Sequence, residues 1–252
     1  MTQNNTTLPS SPLVRADARR VNDLRPIKAT LDFVQCAEGS CLIEVGRTRV
    51  LCNASVSDKV PKWMENSGKG WITAEYSLLP RSTNTRVDRE RKSVSGRTQE
   101  IQRLIGRSLR SIANLEALAG YQITVDCDVI EADGGTRTAS IVGGFIALSQ
   151  ALLKLKKERN LSQQMLKSYV TAVSVGILDK TPLLDLCYTE DSVAEVDMNV
   201  VFAEGGQLIE VQGTGEESTF SRQELNQLLD LAEEGCQSLL KLQKEILNGE
   251  LP

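Results

Sequence analysis

The feature that most restricts how this chain can fold is a strand handed to a long apolar helix across two glycines. Residues 121–128 alternate, with Ile123, Val125 and Cys127 on one side and Thr124, Asp126 and Asp128 on the other, the period of a half-buried β-strand. Asp133-Gly134-Gly135 follows. A helix then runs to about Arg159, with Ile141, Phe145, Leu148, Leu152 and Leu155 forming its apolar side.

The remaining elements repeat that theme. Residues 40–46 and 48–57 read as two strands joined at Gly46-Arg47, and 71–79 as another, after a polar loop between Val60 and Gly70. A helix is expected from Arg97, with Ile101, Leu104, Ile105, Ile112 and Leu115 on one face. Arg103, Arg107 and Arg110 share another face that plain solvation would explain equally well. Residues 169–178, 183–188, 196–202 and 207–211 read as four strands, with Gly205-Gly206 as a hairpin turn. A last helix is expected over about 221–246, opened by a Ser221/Glu224 capping box. Strands, then a helix, then the same again predict an α+β fold with a duplicated ββαβα-like plan, mixed sheets and packed helices. One domain is expected over residues 15–250. Residues 1–14 read as a disordered tail with no secretory pattern, and no apolar run approaches the roughly 20 residues of a membrane span, so no membrane partner is expected.

The 252 residues include no histidine, which removes Ser-His and Cys-His nucleophile systems and the imidazole acid–base pair. Any catalysis must rest on Asp, Glu, Lys, Arg, backbone dipoles or a metal. The six cysteines form no CxxC pair and read as buried reduced thiols of a cytoplasmic protein rather than a zinc site. Net charge is −4, but the average conceals two opposed stretches. Residues 81–110 carry nine basic and three acidic side chains, whereas 185–217 carry nine carboxylates and no Lys or Arg. One stretch suits phosphates and the other a cation.

Three constellations carry candidate chemistry. Asp133-Gly134-Gly135-Thr136-Arg137-Thr138 lies where a strand meets a helix N-terminus, so paired glycines, free N–H groups, a Thr136 or Thr138 hydroxyl and the Arg137 fork make an anion-binding turn. In the acidic stretch, Glu195 and Asp197 fall on one face of an expected strand, with Asp191 in a turn just before. Magnesium takes one or two such carboxylates and fills its shell with water and phosphate oxygens. Arg81, Arg86 and Arg89 lie in a long polar segment that suits tracking of an RNA backbone.

From residue 15 to 246 the chain resembles the ribonuclease PH family in six ordered blocks. These are Gly70-Trp71-Ile72-Thr73-Ala74-Glu75-Tyr76, Leu79-Pro80-Arg81-Ser82-Thr83, and Gly96-Arg97-Thr98-Gln99-Glu100-Ile101-Gln102-Arg103-Leu104. The others are Asp126-Cys127-Asp128-Val129 with the Ala132 to Ser140 turn, Glu190-Asp191-Ser192 with Asp197-Met198-Asn199-Val200-Val201, and Ile209-Glu210-Val211-Gln212-Gly213-Thr214. The resemblance implies the ribonuclease PH domain fold, like the second domain of ribosomal protein S5. It implies a phosphorolytic 3′-to-5′ exoribonuclease: inorganic phosphate attacks the last phosphodiester of RNA, typically a transfer-RNA precursor, and releases a nucleoside diphosphate, while the reverse reaction adds nucleotides. It further implies that Arg97, Gly135, Thr136 and Arg137 hold phosphate, that Asp191 and Asp197 act at the scissile bond and hold Mg2+, and that Arg81, Arg86 and Arg89 guide RNA. A homohexameric ring, a trimer of dimers, belongs to the same pattern.

The missing histidine fits this chemistry, because phosphate is already a nucleophile and catalysis reduces to positioning and charge stabilisation. The alternative, a non-catalytic RNA-binding ring subunit, is disfavoured by the joint presence of Arg97, Arg137, Asp191 and Asp197. A two-metal hydrolase would leave Arg97 and Arg137 without a purpose. The chain departs from the family at Ala18, where glycine is frequent, and in a slightly short 89–96 loop. Both departures are expected to bear on RNA-loop geometry rather than on chemistry.

Overall fold

The computed structural model describes residues 15–216 and 218–252; the tail expected over 1–14 lies outside the described residues. β1 (Ile27–Leu31), β2 (Gly39–Val45), β3 (Thr48–Ser57), β4 (Trp71–Leu78) and β5 (Gln122–Glu131) make one sheet in the order β1-β2-β3-β5-β4. Its pairs are antiparallel except β4 with β5, which run parallel because helix α1 (Gly96–Ser111) crosses over between them.

Helix α2 (Thr136–Glu158) leads to the second half, in which β6 (Val170–Leu178), β7 (Thr181–Leu184), β8 (Val196–Ala203) and β9 (Gln207–Gly215) form an antiparallel sheet ordered β7-β6-β8-β9. A single turn, α3 (Tyr188–Asp191), links β7 to β8, and α4 (Arg222–Ile246) covers β6, β7 and β8. The expected Ser221/Glu224 capping box is present, with each side chain accepting from the other's backbone N–H.

Helix α2 joins the halves. It packs on β2, β3 and β5 from one side and on β6 from the other, within one apolar core that runs across both sheets. Covered twice, it buries Val142, Ile146, Ala147 and Ala151 as well as the stripe read from the sequence. By length and composition this helix could cross a membrane, contrary to the expectation that no run came close. Here 83% of its apolar window is buried within the protein.

Several boundaries differ from the sequence reading for identifiable reasons. β1 was not expected: it is an edge strand with mostly half-buried residues, so it carries no alternation. The strand expected over 183–188 stops at Leu184, because Asp185 adopts φ 54 and Glu190 reaches back to the Cys187 N–H to form α3. β9 runs on to Gly215, paired with Val196 of β8. Four thiols are buried as expected, but Cys36 is exposed and Cys187 half-buried.

Ala18 sits at φ 60, a left-handed conformation that costs a non-glycine residue about 1–2 kcal/mol. Its segment holds Arg15 and Arg19 against Glu190 and Asp185, so a change at Ala18 bears on that junction. Ala18→Gly is expected to stabilise the fold by about 0.5–1 kcal/mol after the unfolded-state entropy of glycine is subtracted. A melting temperature higher by about 1–2 °C would register it; a lower one would contradict the strain.

Candidate active site

A cleft of about 440 Å³ opens where α2 begins. Arg97 enters it from the first turn of α1, Tyr76 from β4, Gly134 to Arg137 from the β5–α2 turn, Tyr188 and Asp191 from α3, and Asp197 and Asn199 from β8. Both sheets therefore contribute, and α2 sets their spacing.

The turn is built for an anion. Gly134 (φ 78) and Gly135 (φ 64) both take the left-handed backbone that glycine adopts without penalty, with Gly135 capping α2. The first N–H groups of α2 have no partner within the helix, and its dipole adds positive potential there. A Cβ on Gly134 would lie 2.5 Å from the Leu186 carbonyl oxygen and 2.8 Å from the Cys187 carbonyl carbon. Gly134→Ala is accordingly expected to destabilise by about 2–5 kcal/mol, summing the left-handed penalty and overpacking against backbone. A chemical denaturation midpoint equal to that of the native chain would contradict this close approach.

Of the two threonines offered by the sequence, only Thr136 lines the cleft, with its Oγ1 2.9 Å from the Tyr76 hydroxyl. Thr138 spends its hydroxyl on the Gly135 carbonyl. Arg137 stands mostly buried, held by a long 3.4 Å bond to Gln212 Oε1 and lying 3.9 Å from Glu100, which leaves most of its donors available to a ligand.

Opposite this cationic wall stand Asp191 and Asp197. Burial pushes the Asp197 carboxyl up to about 6, and Asp191 adds to the rise while Arg137 and Arg97 oppose it. Burial likewise raises Asp191, again opposed by Arg137 and Arg97. The charges of the two arginines thus reach both carboxyls. Asp197 Oδ1 is buried and has no hydrogen-bond partner among the described residues, an arrangement that needs a further donor or cation to be satisfied. Among the described residues, no three His, Cys, Asp or Glu side chains converge as a ready-made metal cage.

The acidic stretch divides on inspection. Asp185 and Glu190 pair with Arg25 and Arg15, Glu204 with Lys244, and Glu210 with Arg107. Glu195 lies outside the cleft and accepts from the Lys180 N–H, so it does not join Asp197 as its strand position had suggested; Glu216 lines the cleft instead. The cations missing from this stretch are supplied by remote segments. Arg81, Arg86 and Arg89 are exposed and stand outside the cleft, with Arg86 paired to Asp88. Their neighbours Thr83, Asn84, Thr85 and Val87 form its wall. Sequence reasoning missed Tyr76, Tyr188, Ser174 and Asn199; Asn199 alone was recoverable, because it lies two residues beyond Asp197 on the same strand face.

Two family models match the chain in succession, "3′ exoribonuclease family, domain 1" over residues 23–154 and "domain 2" over 168–235. The chain is 55% identical to ribonuclease PH of Bacillus subtilis over 243 residues, covering 95% of this chain and 99% of that protein. It is 53% identical to ribonuclease PH of Corynebacterium kroppenstedtii over 244 residues, covering 96% of each. Among solved structures it resembles the Archaeoglobus fulgidus exosome with RNA bound to the active site, with TM-score 0.75, 20% identity, and 89% of this chain and 91% of that one covered. It also resembles an archaeal exosome core, with TM-score 0.72, 19% identity, and 92% and 90% covered. The paired family models and the extended identity place the chain in the ribonuclease PH family of 3′ exoribonucleases.

Proposed function

We propose that this protein shortens the 3′ ends of transfer-RNA precursors by phosphorolysis. The observation that carries the reading is one cleft in which Arg97, Arg137 and the N-terminus of α2 face Asp191 and Asp197. Arg97, Gly135, Thr136 and Arg137 would hold the attacking phosphate. One of its oxygens bonds to the phosphorus of the last phosphodiester, and the bond to the 3′ oxygen of the preceding nucleotide breaks. Hydrogen phosphate brings the proton that the departing oxygen needs, and the last nucleotide leaves as a nucleoside diphosphate. Arginine and helix-dipole charge offsets the negative charge gathered at the two phosphorus centres.

Asp191 and Asp197 act at the scissile bond in this reading. They also fit a magnesium ion, since the ion favours carboxylate oxygens and Asp197 Oδ1 is buried without a partner among the described residues. When bound, the ion would supply Lewis-acid stabilisation of phosphoryl oxygens. Arg81, Arg86 and Arg89, exposed beside the loop that walls the cleft, would meet the RNA backbone further out. A homohexameric ring, a cytoplasmic location and a single folding unit over 15–250 belong to the same proposal; the last is supported by the shared core.

Incubation with a 3′-tailed RNA and magnesium, with and without phosphate, tests the reading. Nucleoside diphosphates that appear only with phosphate are expected. Monophosphates would indicate hydrolysis, and an RNA bound but uncut would indicate a non-catalytic ring subunit; either would overturn it.

A further inference from the structure

We infer that Arg25, with Thr48, is a positioning residue that aims the backbone N–H groups of the phosphate turn into the cleft. The inference rests on the phosphate reading above and adds the device that holds the turn. It also accounts for the arginine-rich segment from Arg15 to Pro26, to which the proposed chemistry assigns nothing.

The geometry is explicit. Arg25 is buried and grips Asp185 in a two-pronged pair, Nε to Oδ2 at 3.0 Å and Nη2 to Oδ1 at 2.7 Å, while its own N–H donates to Oδ2 at 2.7 Å. Burial alone would lower the guanidinium pKa, yet the Asp185 carboxylate raises it above the usual arginine value. Anchored this way, the fork reaches the phosphate turn from behind: Nη1 donates to the Asp133 carbonyl and Nη2 to the Gly134 carbonyl. Thr48, fully buried, donates its hydroxyl to the same Gly134 carbonyl at 2.7 Å and accepts from the Asp133 N–H at 2.9 Å.

In a trans peptide the C=O and the following N–H point in opposite directions. Tethering the Asp133 and Gly134 carbonyls at the rear therefore turns the Gly134 and Gly135 N–H groups forward. Gly134 and Gly135 both line the cleft. Two backbone donors fixed before phosphate arrives need no reorganisation on binding, which is where preorganised charge stabilisation gains its advantage. The same segment reaches α3 one residue before Asp191: Arg15 holds Glu190 through Nε and Nη2, each at 2.7 Å, and Arg19 touches both Asp185 and Glu190. The turn and α3 are thereby joined to one buried ion cluster.

Steady-state phosphorolysis on the native chain, Thr48→Val and Arg25→Lys tests this, with the Michaelis constants for phosphate and RNA measured separately. Thr48→Val keeps the shape and removes both Thr48 bonds to the turn. Only the one to the Gly134 carbonyl tethers a carbonyl at the rear, so its phosphate KM should rise about 3- to 10-fold, the size of one hydrogen bond. Arg25→Lys keeps the charge but cannot span two carbonyls and Asp185 together, and should raise phosphate KM by about 10-fold or more. The RNA KM should stay within about twofold in both, on the same grounds. If Arg25→Lys fails to fold, Thr48→Val carries the test alone. A phosphate KM unchanged, or raised only in step with the RNA KM, would mean that the clamp merely stabilises the fold and would overturn the inference. A native chain that cuts RNA without phosphate would instead overturn the phosphate reading itself.

Discussion

Arg137→Ala is expected to raise the phosphate KM by about 100-fold while the RNA KM changes only a few-fold. Arg137 lies in the first turn of α2, mostly buried, and among the described residues only a 3.4 Å bond to Gln212 and a 3.9 Å approach to Glu100 occupy it. A planar fork on a phosphate makes two charge-assisted bonds, together worth about 3 kcal/mol, and each 1.4 kcal/mol is a factor of ten. Arg137→Lys should fall between, restoring the charge without the fork. Loss of activity with an unchanged phosphate KM would place Arg137 elsewhere in the mechanism.

Asp197→Asn is expected to lower turnover by about 10²- to 10⁴-fold, the range for a carboxylate acting directly in the reaction, with RNA binding retained. The same change should stabilise the protein. With its folded carboxyl near 6 against an ordinary 3.8, native Asp197 is ionised in the unfolded chain before it is in the folded one. Folding stability is intact below pH ~4 and falls as pH rises to about 6, by at most about 3 kcal/mol at 1.36 kcal/mol per unit. The asparagine variant escapes that penalty. In chelator its melting temperature should match the native value near pH 4 and exceed it by a few degrees at pH 8. Higher native stability at pH 8 would show that the carboxylate is satisfied rather than strained.

The site was legible where local sequence sets geometry. Gly134 and Gly135 could only be a sharp turn, and the turn led into a helix long enough to order it. Asp197 was legible because a strand fixes which side chains share a face. Glu195 was misread by the same rule, because a shared strand face does not fix where a side chain ends: its carboxylate turns to the Lys180 N–H, outside the cleft. The charge runs were less informative, since ion pairing ignores sequence distance. Glu190 finds Arg15, and Asp185 finds Arg25, across more than 150 residues. The lack of local cations therefore marked long-range partners for some carboxylates and an open site for others. Burial of α2 on two sides was likewise invisible in a five-residue stripe, because it depends on which sheets meet there. The cleft-facing roles of Tyr76 and Tyr188 had no local signal at all.

Radiolabelled inorganic phosphate offers the most direct test of the central claim. With labelled phosphate, unlabelled RNA and the native chain, the label is expected in the β-phosphate of the released nucleoside diphosphates, in proportion to the nucleotides removed. Nucleoside monophosphates released while the label stays in inorganic phosphate would contradict it.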